Sequence, residues 1–170
     1  MTKLIRGLSL AGAALMMLVG SARAQGPVAA FELISAAEAQ QEATAEANAP
    51  DEIRPRQVPG PKGLVPAIRI VSPTAPTAPG GAVAAPLRIE VAFSPAPGTR
   101  IVPSSFRVLY GLLKIDLTER LHKHATVSEA GVVVEHAQVP DGQHRLILQV
   151  ADDQGNTAEQ ELRLRVGNAS

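Results

Sequence analysis

Hydrophobic and polar positions alternate most regularly near the end of the chain. Leu146, Leu148 and Val150 alternate with Arg145, Ile147 and Gln149, and Leu162, Leu164 and Val166 alternate with Glu161, Arg163 and Arg165. A period of two with one apolar face predicts half-buried strands. Between the two runs, Asp153, Gly155 and Asn156 supply turn chemistry, because Gly and Asn tolerate positive φ. The stretch therefore reads as a β-hairpin whose apolar face needs a second sheet to cover it. Its inward residues are all even-numbered, so only registers whose paired numbers sum to an even value keep both apolar sets on one face. Setting Leu148 opposite Leu162 and Leu146 opposite Leu164 matches apolar to apolar and leaves residues 153–157 as a five-residue loop, a common hairpin length. In this reading Ile147 faces outward.

The same alternation predicts further strands upstream. Residues 67–72 (Ala-Ile-Arg-Ile-Val-Ser) alternate and stop at Pro73, which suits an edge strand. Residues 87–93 alternate most cleanly, with Leu87, Ile89, Val91 and Phe93 facing in and Arg88, Glu90 and Ala92 facing out. Residues 105–110 alternate through Phe106, Val108 and Tyr110, and residues 132–134 add another short run. Residues 115–118 read as a brief strand, followed by a helical turn in which Asp116 and Glu119 have capping-box spacing and Leu117 and Leu121 stand at i, i+4. Short strands separated by Pro/Gly turns predict an all-β, antiparallel two-sheet sandwich rather than βαβ units.

The pattern before residue 66 is different. Residues 1–24 carry Lys3 and Arg6, then an apolar run over 8–19, then Ala22-Arg23-Ala24. A charged start, a short apolar segment and an A-x-A site are the parts of a signal peptide. The run falls short of the roughly 20 residues a spanning helix needs. The expected mature chain begins at Gln25. Residues 31–48 are good helix formers, but Ile34 is their last large apolar residue, and such a helix is marginal alone. Residues 50–66 are Pro-rich and favour extended, unpaired backbone. Residues 25–65 are thus expected to form a flexible Ala/Glu/Pro-rich tether, disordered or partly helical, leading to a sandwich domain over 66–167.

Composition narrows the function classes. Lys3, Arg6 and Arg23 are the only charges of residues 1–24, which leaves 13 of the 16 basic side chains against all 16 acidic ones, a net charge of −3. That gives no electrostatic case for nucleic acid or an anionic membrane. There is no cysteine for a disulfide, a thiolate metal site or a lipid anchor. Phe31, Phe93, Phe106 and Tyr110 are the only aromatics, too few for the exposed platforms of a sugar-binding surface.

Several short stretches together resemble a known family. They are Ile-Arg-Ile-Val-Ser-Pro (68–73), Pro-Leu-Arg-Ile-Glu-Val (86–91), Ser-Phe-Arg-Val-Leu-Tyr (105–110), Ile-Asp-Leu-Thr (115–118), Val-Pro-Asp-Gly-Gln-His-Arg-Leu (139–146) and Ala-Asp-Asp-Gln-Gly-Asn (151–156). This order resembles the immunoglobulin-like domains of exported bacterial proteins, with a D-x-T edge, a P-x-G-x-H lead-in and a D-x-x-G-N final hairpin. The resemblance covers about residues 66–167, near the roughly 100 residues of such a sandwich. The Cys pair and core Trp of antibody-type domains are absent. The resemblance implies an exported, non-catalytic module with a protein-interaction or structural role in the periplasm or at the cell surface, its partner another exported protein. Turn and strand punctuation of this kind specifies fold far better than function.

The candidate chemistry is sparse. The histidines are His122, His124, His136 and His144. On a strand, His122 and His124 would share a face and chelate copper or zinc. The chain is also similar to periplasmic copper-carrier sandwiches, which use an N-terminal His and often Met-rich loops. Here the expected N-terminus is Gln25, and Met1, Met16 and Met17 all leave with the leader. A periplasmic metal-handling protein using His122 and His124 is therefore the alternative reading, and exposed or strand-end histidines the favoured one. Asp152, Asp153 and Asn156 are candidate calcium ligands, but calcium takes six to eight oxygens, and turn residues account for them. His124, Ser128 and Asp116 have the composition of a triad without anything to set its geometry. No G-x-S-x-G, H-E-x-x-H or glycine-rich phosphate loop is present. The sequence thus predicts neither an enzyme nor a bound cofactor.

Overall fold

The clean alternation of residues 87–93 becomes the centre of one sheet. In the computed structural model, which describes residues 30–49, 64–73 and 81–167, β3 (Leu87–Ser94) buries Leu87, Ile89, Val91 and Phe93. It is flanked by the edge strand β2 (Ala67–Ser72) and by β7 (Gly131–Gln138). A short strand that the sequence reading did not anticipate, β6 (Ala125–Ser128), lies antiparallel on the far edge of β7. The expected leader and most of the Pro-rich stretch fall outside the described residues.

The second sheet runs β5-β4-β8-β9, from β5 (Ile115–Asp116), β4 (Ile101–Tyr110), β8 (Gly142–Asp152) and β9 (Thr157–Val166). β4 starts earlier than its alternation suggested, because a bulge interrupts the pattern. Pairing with β8 shifts between Val102 and Arg107, and the Ser105 hydroxyl fills the gap in the ladder. It accepts from the Ala151 N–H at 2.8 Å and donates to the Val102 carbonyl at 2.6 Å. After β5 comes α2 (Thr118–His122), the expected brief strand and helical turn. The Asp116–Glu119 capping box does not close: Leu117 is the N-cap, with no side-chain capping bond. The Asp116 carboxylate instead accepts from the Thr118 N–H at 2.8 Å. Both sheets contribute to one apolar core, and Phe93 and Phe106 meet across it with ring centroids 5.5 Å apart. The fold is a mostly-β, two-sheet sandwich.

Two expectations about the closing hairpin need correction. Its register places Leu146 opposite Leu162, His144 opposite Leu164 and Leu148 opposite Gln160, two residues from the predicted pairing but of the same parity. Loop chemistry decides between these registers. The Asp152 carboxylate accepts from the N–H groups of Gln154 and Asn156 at 3.1 and 2.8 Å, which fixes Asp152 as the first loop residue and Ala151 opposite Thr157 as the last pair. The second correction is Ile147, which is only 4% exposed although it lies on the outer face. Its cross-strand neighbours there are Leu109 and Glu161, so that face is not simply a solvated one.

The largest departure concerns residues 30–49, read above as part of a tether. β1 (Phe31–Glu32) pairs in parallel with the end of β7, and Phe31, Leu33 and Ile34 are buried in the core. α1 (Ala36–Asn48) follows, capped by a reciprocal Ser35–Glu38 box. Ile34 and Ala39, at the N′ and N4 positions of a hydrophobic staple, both lie against the core. The absence of an apolar stripe along α1 suggested that the helix had nothing to bury. The segment docks through the three apolar residues before the helix and through carboxylates on it.

Candidate functional site

The chemistry-bearing side chains gather at the end of the sandwich where α1, α2, the β4–β5 turn and the start of β8 meet. Each is held there by local sequence. Gly111 ends β4 with φ +68, a left-handed conformation that glycine adopts without cost. The turn this makes aims the N–H groups of Leu112 and Leu113 at Glu42 of α1. Glu42 is 3% exposed, and its carboxylate occupies the space where a side chain on Gly111 would stand, 1.9 Å from the position of an added Cβ. One helical turn earlier, Glu38 forms a two-pronged ion pair with Arg120 of α2, at 2.8 and 2.9 Å. Arg120 also donates to the Leu33 carbonyl at 2.7 Å. These charge-assisted bonds hold the Glu38 carboxyl down at about 2, the Arg120 hydrogen bond being the largest cause.

Beside them lies a buried pair, Tyr110 and His144. The Tyr110 hydroxyl and His144 Nδ1 are 2.9 Å apart, and His144 Nε2 lies 2.8 Å from the Pro140 carbonyl. A carbonyl only accepts, so Nε2 carries the proton. In the neutral ring Nδ1 accepts from the tyrosine. Burial pushes the His144 imidazole below its usual range, opposed by the bond to Pro140. Burial likewise raises the Tyr110 phenol to about 12, assisted by the negative charge of Glu42, Glu46 and Glu38. Both ring nitrogens of His144 are occupied, which leaves no lone pair for a metal.

The other sequence candidates are dispersed. His144 lies near the start of β8, so of the exposed or strand-end positions expected it takes the second, but it is 5% exposed and fully bonded. His122 ends α2 and His124 lies in the following turn, so the two do not share a strand face. The His124 ring stacks on Phe31, centroids 4.0 Å apart and 9° from parallel. His136 is an exposed residue of β7 at φ 56, where pairing with β3 shifts by one residue. Among the described residues no group of three or more His, Cys, Asp or Glu is placed to hold a metal ion.

The calcium candidates are committed to the hairpin loop. Besides the backbone bonds above, Asn156 Nδ2 donates to both Asp152 oxygens, at 3.2 and 3.0 Å. These bonds, the Asn156 side chain first, hold the Asp152 carboxyl below its usual range. Asp153 points elsewhere and accepts from the Arg100 N–H at 3.2 Å, tying the loop to the start of β4. The three residues of the nominal triad are likewise bonded apart: Ser128 donates to the Gly131 carbonyl at 3.2 Å, Asp116 accepts from the Thr118 N–H and His124 stacks on Phe31.

The sequence reading missed the Glu38–Arg120 and Glu42 contacts. Ser35-Ala-Ala-Glu38 is a capping-box signature and was available as a signal; nothing local marks Glu42 as buried. No helix among the described residues is long and apolar enough to cross a membrane. Comparison with family models, with curated proteins and with solved structures finds no match.

Proposed function

We propose that this chain is an exported, non-catalytic immunoglobulin-like module that works outside the cytoplasm through contact with another exported protein. The observation that carries the reading is the strand order. β2-β3-β7-β6 in one sheet and β5-β4-β8-β9 in the other correspond to A-B-E-D and C′-C-F-G of the immunoglobulin arrangement. After β2 the chain crosses to the second sheet at Val83, which bridges in parallel to Val166 of β9. His144 supports the same reading. It stands near the start of β8 and bonds back to the carbonyl of Pro140, four residues upstream, where a tyrosine corner closes many such sandwiches. The buried polar groups therefore have architectural work: Tyr110 and His144 close the corner, Glu42 and Glu38 fasten α1, and Asp152 folds the last hairpin.

The export part of the reading rests on residues 1–24. A fusion of residues 1–30 to alkaline phosphatase, an enzyme active only after export, tests it: activity in intact cells is expected, and an inactive cytoplasmic fusion would contradict export. The metal-handling alternative is separated by calorimetric titration with Cu²⁺ and Zn²⁺. Binding no tighter than about 1 μM is expected. A tighter site lost in His122→Ala or His124→Ala would put metal handling first.

A further inference from the structure

The outer face of the β5-β4-β8-β9 sheet is buried where a sheet face should be wet. Ile147 lies outside the core cluster yet is only 4% exposed. On the same face the Glu161 side chain keeps 8% of its surface, although β9 comes last in its sheet among the described strands. Arg145 has its Nε and Nη2 buried without a hydrogen-bond partner. Neighbours in the plane of a sheet flank a side chain but leave its tip in water unless a further layer lies above it. The other sheet shows that ordinary case: Arg88 and Glu135, outward on β3 and β7, are half-exposed. These are exposures of a single copy, so the covering layer belongs to this chain.

Chain path and charge order point to the same segment. α1 arrives beside this face: Glu42 stands over Gly111, whose N–H donates to the Arg145 carbonyl at 2.9 Å, and the helix ends at Asn48. The next described residue, Leu64, leads into β2 at Ala67, opposite Ser94 at the end of β3. Residues 95–100 then turn into β4, whose Ile101 pairs with Asp152 at the end of β8. Residues 50–63 thus connect the Arg145 end of the sandwich to its Asp152 end. That is roughly 23 Å along β8, well within the roughly 46 Å that the segment spans when extended. Residues 51–58 read Asp-Glu-Ile-Arg-Pro-Arg-Gln-Val. In the same direction the face presents Arg145 beside Arg163, then Ile147 between Leu109 and Glu161, then Gln149 bonded to Glu159. Acid meets base, Ile meets Ile and Leu, and base meets acid, in that order. Residues 25–29, 74–80 and 168–170 carry no charge to offer such a face. Pro50, Pro55, Pro59 and Pro61 lack N–H donors and favour an extended backbone, suited to lying on a face rather than joining a ladder.

We propose that residues 51–58 lie extended across the outer face of the β4-β8-β9 sheet, with Ile53 on Ile147, Asp51 and Glu52 toward Arg145 and Arg163, and Arg54 and Arg56 toward Glu161 and Glu159. The occupant of this face is the chain's own segment, and the segment is a strap that ties the end of α1 to the far end of the sandwich. The strap takes the face out of reach of a partner protein, which must meet the module elsewhere. The inference holds whether or not the chain is exported.

The test uses the chain from Gln25 onward, which holds every described residue and no native cysteine. A nitroxide on Gln57→Cys is expected to broaden the amide signals of Ile147, Gln149, Glu159 and Glu161 in NMR spectra far more than those of β2 and β3. In the Ile53→Asp background that preference should vanish, and trypsin should cut after Arg56 at least about tenfold faster than in the parent chain, as for a segment released from its contacts. If Ile53→Asp does not fold, the nitroxide result decides alone. Broadening without preference for β8 and β9, a preference that survives Ile53→Asp, or equal cutting of the two chains overturns the proposal. In a mixture of copies, broadening of an isotope-labelled, nitroxide-free copy by a nitroxide-bearing one would assign the cover to a second copy and likewise overturn it.

Discussion

Replacing Gly111 by Ala perturbs the chain where α1 is fastened to the sandwich, and the structure predicts that the cost depends on Glu42. Gly111 holds φ +68, which strains any L side chain by about 1–2 kcal/mol. The added methyl would also stand 1.9 Å from the Glu42 carboxyl carbon, well inside contact distance. Overpacking of that kind costs about 1–3 kcal/mol when the neighbour must move. Gly111→Ala should therefore destabilise by about 2–5 kcal/mol, the sum of the two effects. Glu42→Ala removes the acceptor for the Leu112 and Leu113 N–H groups and should cost about 2–3 kcal/mol, the scale of losing hydrogen bonds to a charged group. With Glu42 shortened, the methyl has room, and Gly111→Ala should cost only the backbone strain of about 1–2 kcal/mol. The four proteins of the double-mutant cycle, unfolded in urea, should show a coupling of about 1–3 kcal/mol. Equal costs for Gly111→Ala in both backgrounds would refute the placement of Glu42 over the turn.

Further expectations follow from the same geometry. Leu148→Ala should cost about 2–5 kcal/mol, and Ile147→Ala, equally buried on the opposite face, should cost a comparable amount in the same urea assay; a near-neutral Ile147→Ala would restore a solvated outer face. Glu38 has its folded pKa lowered to about 2 from the 4.5 of a free side chain, so its stabilising effect is present above about pH 4.5 and is lost as pH falls toward 2. With Arg120 partly exposed, that effect is about 1 kcal/mol, and urea titrations of Glu38→Gln should show a flatter acid limb in this window; an unchanged limb would contradict the ion pair. His144 has its folded pKa lowered, so its contribution is complete above the free-imidazole value near 6.5 and declines as pH falls below it, because the unfolded chain then binds the proton first. His144→Gln should abolish that decline, and its persistence would place the titrating group elsewhere.

How much of this was legible in the sequence depended on whether the signal was periodic. Strands β2 and β3 follow directly from alternation, since every second residue meets the same core. The strand-then-turn at residues 115–122 was readable because Leu117 and Leu121 share a helical face. The hairpin parity was readable too, but its register was not: apolar matching favoured Leu148 opposite Leu162, whereas the turn is fixed by one carboxylate, Asp152, and its bonds to Gln154 and Asn156. The docking of α1, though not its helicity, escaped notice for a different reason. Its attachment comes from Phe31, Leu33 and Ile34 ahead of it, and from Glu38 and Glu42 finding donors more than 60 residues away in sequence, at Arg120 and in the turn after Gly111. Long-range pairing of single charged residues leaves no local pattern. The same holds for His144, whose burial depends on Tyr110 arriving from another strand.

The central proposal, that this sandwich works outside the cytoplasm, is tested most directly by fractionating its native cells and measuring the intact mass of the protein from the fraction that holds it. The account predicts a chain lacking residues 1–24 and beginning at Gln25. A full-length chain with Met1 retained, recovered from the cytoplasm or embedded in a membrane, would contradict it.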